Sequence, residues 1–292
     1  MPRRTRRTRL IIPLLAALTL TGLGACSDDS TSTDAAPAAT IPDSPELDAA
    51  VAQYERYVNQ QVRQLVEHTD EFARLYRSGD DQAARAAYAP ARVYWERIEP
   101  VAAAFGELDP RLDLREAGLE EGQEWTGWHR IEKDLWPPAS GYAAATAKER
   151  DYLAALLVAD TAELQTLAGR VTLTPLDLSD GAKSLLDEIA NGKVTGEEET
   201  WSHTDLWDFQ ANLDGAEAAY EALRPVIEAS DPTLASTLDE RFAATHDALE
   251  QHRKGEGFVS YEQLTPAQVD ELAIVVESLS EPLSHLSASI SS

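Results

Sequence analysis

The chain has 292 residues, with 51 acidic against 25 basic side chains and a formal net charge of −26. That balance argues against nucleic acid and against flat docking on anionic lipid, and it favours cations. A single cysteine excludes internal disulfides and thiolate metal centres, so any bound metal must be held by nitrogen and oxygen donors.

The first segment reads as a targeting signal. Arg3, Arg4, Arg6, Arg7 and Arg9 precede an apolar stretch from Leu10 to Leu20, too short to span a bilayer comfortably. Leu23-Gly24-Ala25-Cys26 then resembles a bacterial lipobox, which implies removal of residues 1–25 and lipid attachment to the Cys26 thiol. Two acyl chains would anchor the chain to the membrane without a transmembrane helix. Residues 26–43 are rich in Ser, Thr, Ala, Pro and Asp and read as a flexible tether.

From residue 44 onward the pattern is helical. Leu47, Val51, Tyr54, Val58, Val62, Leu65 and Phe72 recur at three- and four-residue spacing, which predicts a long amphipathic helix over 45–78. Ser44-Pro45 opens it with a cap residue and a proline at the first helical position. The same signature recurs at Thr174-Pro175, Asp231-Pro232 and Thr265-Pro266. Further helices are predicted over 81–106, 118–136, 146–170, 175–190, 203–228, 232–254 and 266–289. Pro90 should kink the second helix, Pro100 should bend its last turn, and Pro137-Pro138 should end the third. No convincing strand period is present. Eight helices imply an all-α fold of two four-helix bundles over 44–292, with a break near 172–175.

Three clusters carry unusual chemistry. In GWHRIE, His129 and Glu132 stand three residues apart, so both heads share one helical face. An imidazole and a carboxylate aimed at one point make half of a metal site. Glu96 and Glu99 repeat that spacing, although they could equally form a solvated face paired with Arg92 and Arg97. The run GEEETWSHTD adds Glu198, His203 and Asp205 as further candidates. Against this, Glu197 and Glu199 suit a helix N-terminal dipole, with Ser202 as its cap. Asp113 and Glu116 are candidates in the loop after the second helix. The six tryptophans cluster around these blocks and read as core. Such donors suit iron, in either the ferrous or the ferric state, and would accept zinc, copper or manganese.

GWHRIE matches the Gly-x-His-x-x-Glu signature of imelysin-like domains. WERIEP, GWHRIEKDLW and the TGEE…SHTDLWDFQANLDGA block, in that order, resemble the EfeO/EfeM family of bacterial iron uptake over most of residues 45–290. The resemblance implies an all-helical, lipid-anchored, extracytoplasmic protein of the short form, without a cupredoxin domain. It would capture iron and deliver it to an EfeU-type permease, beside an EfeB-type haem peroxidase. His129 and Glu132 would form the core of the site, with Glu96 and then Glu99 as further ligands. Two alternatives accompany the resemblance, an imelysin-type metal-dependent peptidase and a cation-bridged polysaccharide-binding protein. Lys133 follows Glu132, so the H-x-x-E-H peptidase pattern fails, and no H-E-x-x-H occurs.

Overall fold

All four cap-plus-proline pairs open helices, because the cap side chain takes up a backbone N–H that the first turn leaves over. Helix α1 runs Pro45–Ser78, with the Ser44 hydroxyl accepting from the N–H groups of Glu46 and Leu47. Gly79 closes it in the left-handed region at φ 76°. Helix α6 (Pro175–Asn191) opens on Thr174, whose hydroxyl accepts from Asp177 N–H at 3.2 Å. Helix α8 (Pro232–Glu250) opens on Asp231, and α9 (Pro266–Leu283) on a Thr265–Gln268 capping box. The remaining helices are α2 (Asp81–Glu96), α3 (Leu108–Asp113), α4 (Gly127–Leu135), α5 (Ala147–Ala168), α7 (Asp205–Ser230) and α10 (Leu286–Ser289).

This computed structural model describes residues 44–191 and 195–291. The predicted leader, Cys26 and the tether lie outside the described residues. The fold is all-α. Helix α1 packs on α2 and α5, with α4 against α2 and α5, while α6, α7, α8 and α9 close a four-helix ring. Helix α7 belongs to both groups, since it also packs on α1 and α2. One continuous apolar core follows, from Tyr54, Leu65, Phe72 and Tyr76 on α1 through Trp95 and Trp128 to Leu213, Leu238 and Leu279. No described helix is long and apolar enough to cross a membrane.

The structure departs from the predicted elements where proline and glycine act. Pro90 lies inside α2, but the helix predicted over 81–106 stops at Glu96. A 3-10 stretch, Glu99–Phe105, follows with Pro100 in its first turn. Glu96 and Glu99 therefore do not share one continuous helical face. Two glycines clamp this turn. A Cβ on Gly181 would lie 2.0 Å from the Pro100 carbonyl oxygen, and one on Gly215 would lie 2.3 Å from that of Arg97.

The helix predicted from 118 begins only at Gly127, after a 3-10 turn at Glu116–Gly118 and an irregular segment. The last residues of the helix predicted over 232–254 instead enter a short hairpin, Arg253–Lys254 paired antiparallel with Gly257–Phe258. The helix predicted over 266–289 breaks at Ser284 and His285, leaving α9, with Pro282 inside it, and α10 as separate pieces.

Candidate metal centre

The site forms where α3 and α4 meet, and glycine permits that meeting. Gly127 adopts φ +80°, and a Cβ there would lie 2.1 Å from the Leu112 carbonyl oxygen. The start of α4 can therefore abut the end of α3. The Thr126 hydroxyl fastens the same junction by donating to the Arg111 carbonyl at 3.0 Å. Trp128, fully buried against Phe72 and Tyr88, anchors α4 to the aromatic core. Asp113 at the end of α3 is thereby brought to His129 on α4.

His129 is only 1% exposed, and its two ring nitrogens face two carboxylate pairs. Nδ1 lies 3.3 Å from Glu132 Oε2 and 3.9 Å from Glu199 Oε1. Nε2 lies 3.4 Å from Asp113 Oδ1 and 3.7 Å from Glu198 Oε1, and has no hydrogen-bond partner in reach. Each set has three donor atoms close enough to hold one cation: His129 with Glu132 and Glu199, and His129 with Asp113 and Glu198.

The two sides differ in access and in how firmly they are held. Glu132 Oε1 accepts from the backbone N–H groups of Trp201 and Ser202, at 2.8 and 2.7 Å. Glu199 Oε2 accepts from the Ser202 hydroxyl at 2.7 Å, and Oε1 from the Tyr88 hydroxyl at 3.2 Å. That side is closed. The Nε2 side opens into a groove of about 1160 Å³ lined by Asp113, His129 and Glu198. Glu99, Asp109, Glu116, Asp177, Asp180, Glu188 and Glu197 continue the lining, with Arg115 the basic residue on its wall.

Arg92, fully buried, sits behind the imidazole. It pairs with Glu96 on the next turn of α2 and also with Asp113, Glu198, Glu199 and Asp208. Arg115 reaches Glu198 Oε2 from the rim at 2.9 Å. Asn212 of α7 donates to Glu96 Oε2 at 2.9 Å and Glu99 Oε2 at 2.6 Å. Asp205 Oδ1 accepts from the Glu199 N–H at 3.1 Å, and its Oδ2 is buried without a hydrogen bond.

These contacts set the protonation states. Burial and the Arg92 charge push the His129 value down, but the facing carboxylates of Asp113, Glu132 and Glu198 outweigh them and hold it well above the ordinary 6.5. Burial raises Asp113, yet Arg92 and His129 take it well below the usual carboxylate range. Burial also raises Glu132, and here the His129 contact and the two backbone N–H groups outweigh it. Burial, reinforced by the charge of Glu132, pushes Glu199 well above its ordinary value. Burial raises Asp205 as well.

The structure sorts the predicted residues into three groups. His129, Glu132, Glu198 and Asp113 meet at one imidazole. Glu96, Glu99 and Asp205 belong to the surrounding polar shell. His203 and Glu116 stand apart. His203 takes the left-handed φ of 56° to turn the chain into α7, and its ring faces Glu262 at 3.5 Å. Glu116 pairs with Lys133.

Four expectations need correction. The Arg92–Glu96 pair is buried rather than solvated, and Arg97 pairs instead with Asp214. Glu199 is not a dipole-matching surface acid but a buried neighbour of His129. Ser202 does not cap α7, whose cap position is Thr204, because its hydroxyl is spent on Glu199. Of the tryptophans, Trp95 and Trp128 are core, whereas Trp125 and Trp201 lie 5.8 Å apart with tilted rings beside the site under Lys133. Sequence reasoning missed Arg92 and Asp208 as members of the cluster. The i, i+4 spacing of Arg92 and Glu96 was the available signal, but it does not distinguish a buried pair from a solvated one.

The fold and site define an all-α helical-bundle protein with a buried imidazole set between carboxylates beside an acidic groove. The Imelysin family model, labelled as peptidase family M75, matches residues 50–286. The chain is 40% identical over 248 residues to the iron uptake system component EfeO of Yersinia pseudotuberculosis, covering 84% of this chain and 65% of that protein. It is 36% identical over 243 residues to an Efem/EfeO family lipoprotein of Staphylococcus haemolyticus, covering 82% and 83%. A Staphylococcus aureus protein of the same description is also 36% identical, over 245 residues. The chain belongs to the imelysin family and, within it, to the EfeM/EfeO group. It spans slightly less than two thirds of the length of the Yersinia relatives.

Proposed function

We propose that this protein captures iron outside the cytoplasmic membrane, held there by lipid on Cys26, and delivers it to a permease. One observation carries the reading. Glu96, Asp113, Glu132, Glu198, Glu199 and Asp208 converge on one arginine and one histidine, nearly all buried. Buried carboxylates need compensation, and a cation entering from the acidic groove supplies it. The names of the relatives, an iron uptake component and lipoproteins of the EfeM/EfeO family, support iron as the cargo. Oxygen donors with one imidazole suit iron, and would also hold zinc or copper in vitro.

Within this reading the cation binds on the groove side, at His129 Nε2 with Asp113 and Glu198. Glu132, pinned by two backbone N–H groups, accepts from Nδ1 and orients the ring, as outer-shell carboxylates do for metal-bound histidines. Asn212 holds Glu96 and Glu99 behind them. An EfeU-type permease would be the recipient, with an EfeB-type haem peroxidase as companion. The peptidase label of the family model is the rival reading. Against it, Glu132 is too firmly held to serve as a mobile general base, and Lys133 replaces the second histidine.

Calorimetric titration of the metal-free chain with ferrous iron under anaerobic conditions, then ferric citrate, zinc and copper, tests this. Iron binding that His129→Ala, Asp113→Asn and Glu198→Gln each remove is the expected result. Binding indifferent to all three, or metal-dependent cleavage of unfolded proteins, would overturn it.

A further inference from the structure

Cation capture gives Arg92 no evident task, yet it has the densest set of ionic contacts in the cluster. Its guanidinium meets Glu199 Oε1 at 2.7 Å, Glu96 Oε1 at 2.8 Å, and Glu198 Oε1 and Asp208 Oδ1 at 3.4 Å each. It also makes a close pair with Asp113 Oδ1. Two of these atoms also lie on the groove side of the imidazole. Asp113 Oδ1 and Glu198 Oε1 are the oxygens that face His129 Nε2, at 3.4 and 3.7 Å. The guanidinium and a captured cation therefore draw on the same two oxygens.

Resting on the capture reading above, we propose that Arg92 is a resident counter-ion that competes with the cargo and so keeps binding reversible. It yields Asp113 and Glu198 to the incoming cation while keeping Glu96, Glu199 and Asp208, and it takes the first two back when the cation leaves. An arginine suits this task because it stays charged at every physiological pH, and its planar head serves several acceptors at once. Its positive charge, fixed in a buried setting, repels a divalent ion a few ångströms away. Without it, the carboxylates would hold the ion more tightly and release it more slowly. Arg92 is also completely buried, so it cannot swing to solvent and must share its acceptors in place.

The sign of one effect separates this role from a purely structural one. A strut that merely positions the carboxylates would, on removal, leave them misplaced and weaken binding. A competitor would, on removal, strengthen it. The test uses the full chain with zinc, and with ferrous iron under anaerobic conditions. Affinity is read by calorimetry, release by stopped-flow transfer to a chelator, and folding by near-ultraviolet circular dichroism.

Arg92→Gln is expected to bind at least tenfold tighter, about 1.4 kcal/mol, and to release correspondingly more slowly. Arg92→Lys keeps a charge but reaches fewer oxygens, and is expected to fall between Gln and native. A folded Arg92→Gln protein that binds as native or more weakly overturns the proposal. Should Arg92→Gln fold only with metal present, Arg92→Lys decides: tighter binding than native supports the proposal, and equal or weaker binding overturns it. If native protein binds neither ion, the capture reading itself fails. Native binding with no tightening in the variants defeats only the role of Arg92.

Discussion

Of the described histidines that sit against carboxylates, His129 makes a candidate site and His246, on α8, does not. His246 on α8 contacts Glu217 at 2.8 Å through Nε2 and the Gln210 amide at 3.0 Å through Nδ1. Gln210 passes the network to Asp214, which pairs with Arg97. Both ring nitrogens are occupied, the ring side chain is 31% exposed, and the charges nearly cancel. His129 is buried, surrounded by more carboxylates than its neighbouring cations neutralise, and turns one nitrogen toward a groove. A histidine–carboxylate pair by itself is therefore an ordinary structural motif. Surplus buried charge together with a donor atom left without a hydrogen bond beside a groove marks a place for a cation.

The sharpest way to break that comparison is to delete each imidazole in turn. His129→Ala is expected to weaken iron or zinc binding by at least roughly a hundredfold, the loss of a central donor. His246→Ala is expected to change it less than about twofold. Equal effects in calorimetric titration would show that surplus charge does not distinguish the two clusters.

Gly127→Ala attacks the junction rather than a ligand. Its Cβ would meet the Leu112 carbonyl at 2.1 Å in a left-handed backbone conformation. A loss of about 3 kcal/mol or more in denaturant unfolding is expected, with weakened metal binding because Asp113 and His129 part. Native stability in this variant would show that α3 and α4 can meet without the glycine.

Glu132→Gln keeps the shape and removes the charge that orients the ring. A loss of about 10- to 100-fold in affinity is expected, smaller than that of His129→Ala. An equal loss would make Glu132 a direct ligand and move the cation to the closed side of the imidazole.

A pH series sharpens the comparison further. Both histidines have values raised above 6.5, His246 chiefly through its hydrogen bond to Glu217 and His129 through its three carboxylates against opposing burial. A raised value means stability that is complete below the unfolded histidine's range and is lost as pH rises through the folded value. At His129 the cation replaces the proton. Affinity should therefore climb with pH, by at most about tenfold per unit, until the raised value is passed. The metal-induced gain in melting temperature should grow across the same window. A gain independent of pH between mildly acidic and alkaline conditions would remove His129 from the ligand set. The smallest effect expected is on stability in His246→Ala, about 1 kcal/mol or less, since its pair is partly exposed.

Much of the fold was legible in the chain because its signals are local. Cap-plus-proline pairs marked four helix starts, and the apolar spacing of α1 marked the face bearing Tyr54, Val58, Leu65 and Phe72. Helix ends were less legible. Whether Pro90 or Pro100 interrupts the second helix depends on what the freed backbone packs against, and the glycine clamp at Pro100 comes from α6 and α7. The segment before Gly127 looked helical by composition, yet it must bend so that the end of α3 can reach α4. Within the site, GWHRIE pointed to His129 and Glu132 from i, i+3 spacing, which any helix imposes.

The sequence by itself determined an all-α chain, an acidic surface, a histidine and a glutamate on one helical face, and a lone cysteine in a lipobox-like setting. Each of these follows from composition or from contacts within a few residues. The tertiary structure alone decided which acids join the histidine and its neighbouring arginine. Asp113, Glu198, Glu199 and Asp208 arrive from three other segments, and Arg92 lies at their centre rather than at the surface. The physical reason is that spacing fixes the direction of a side chain on its own helix. Burial, and therefore the electrostatic demand for a cation, depends on which helices close around it.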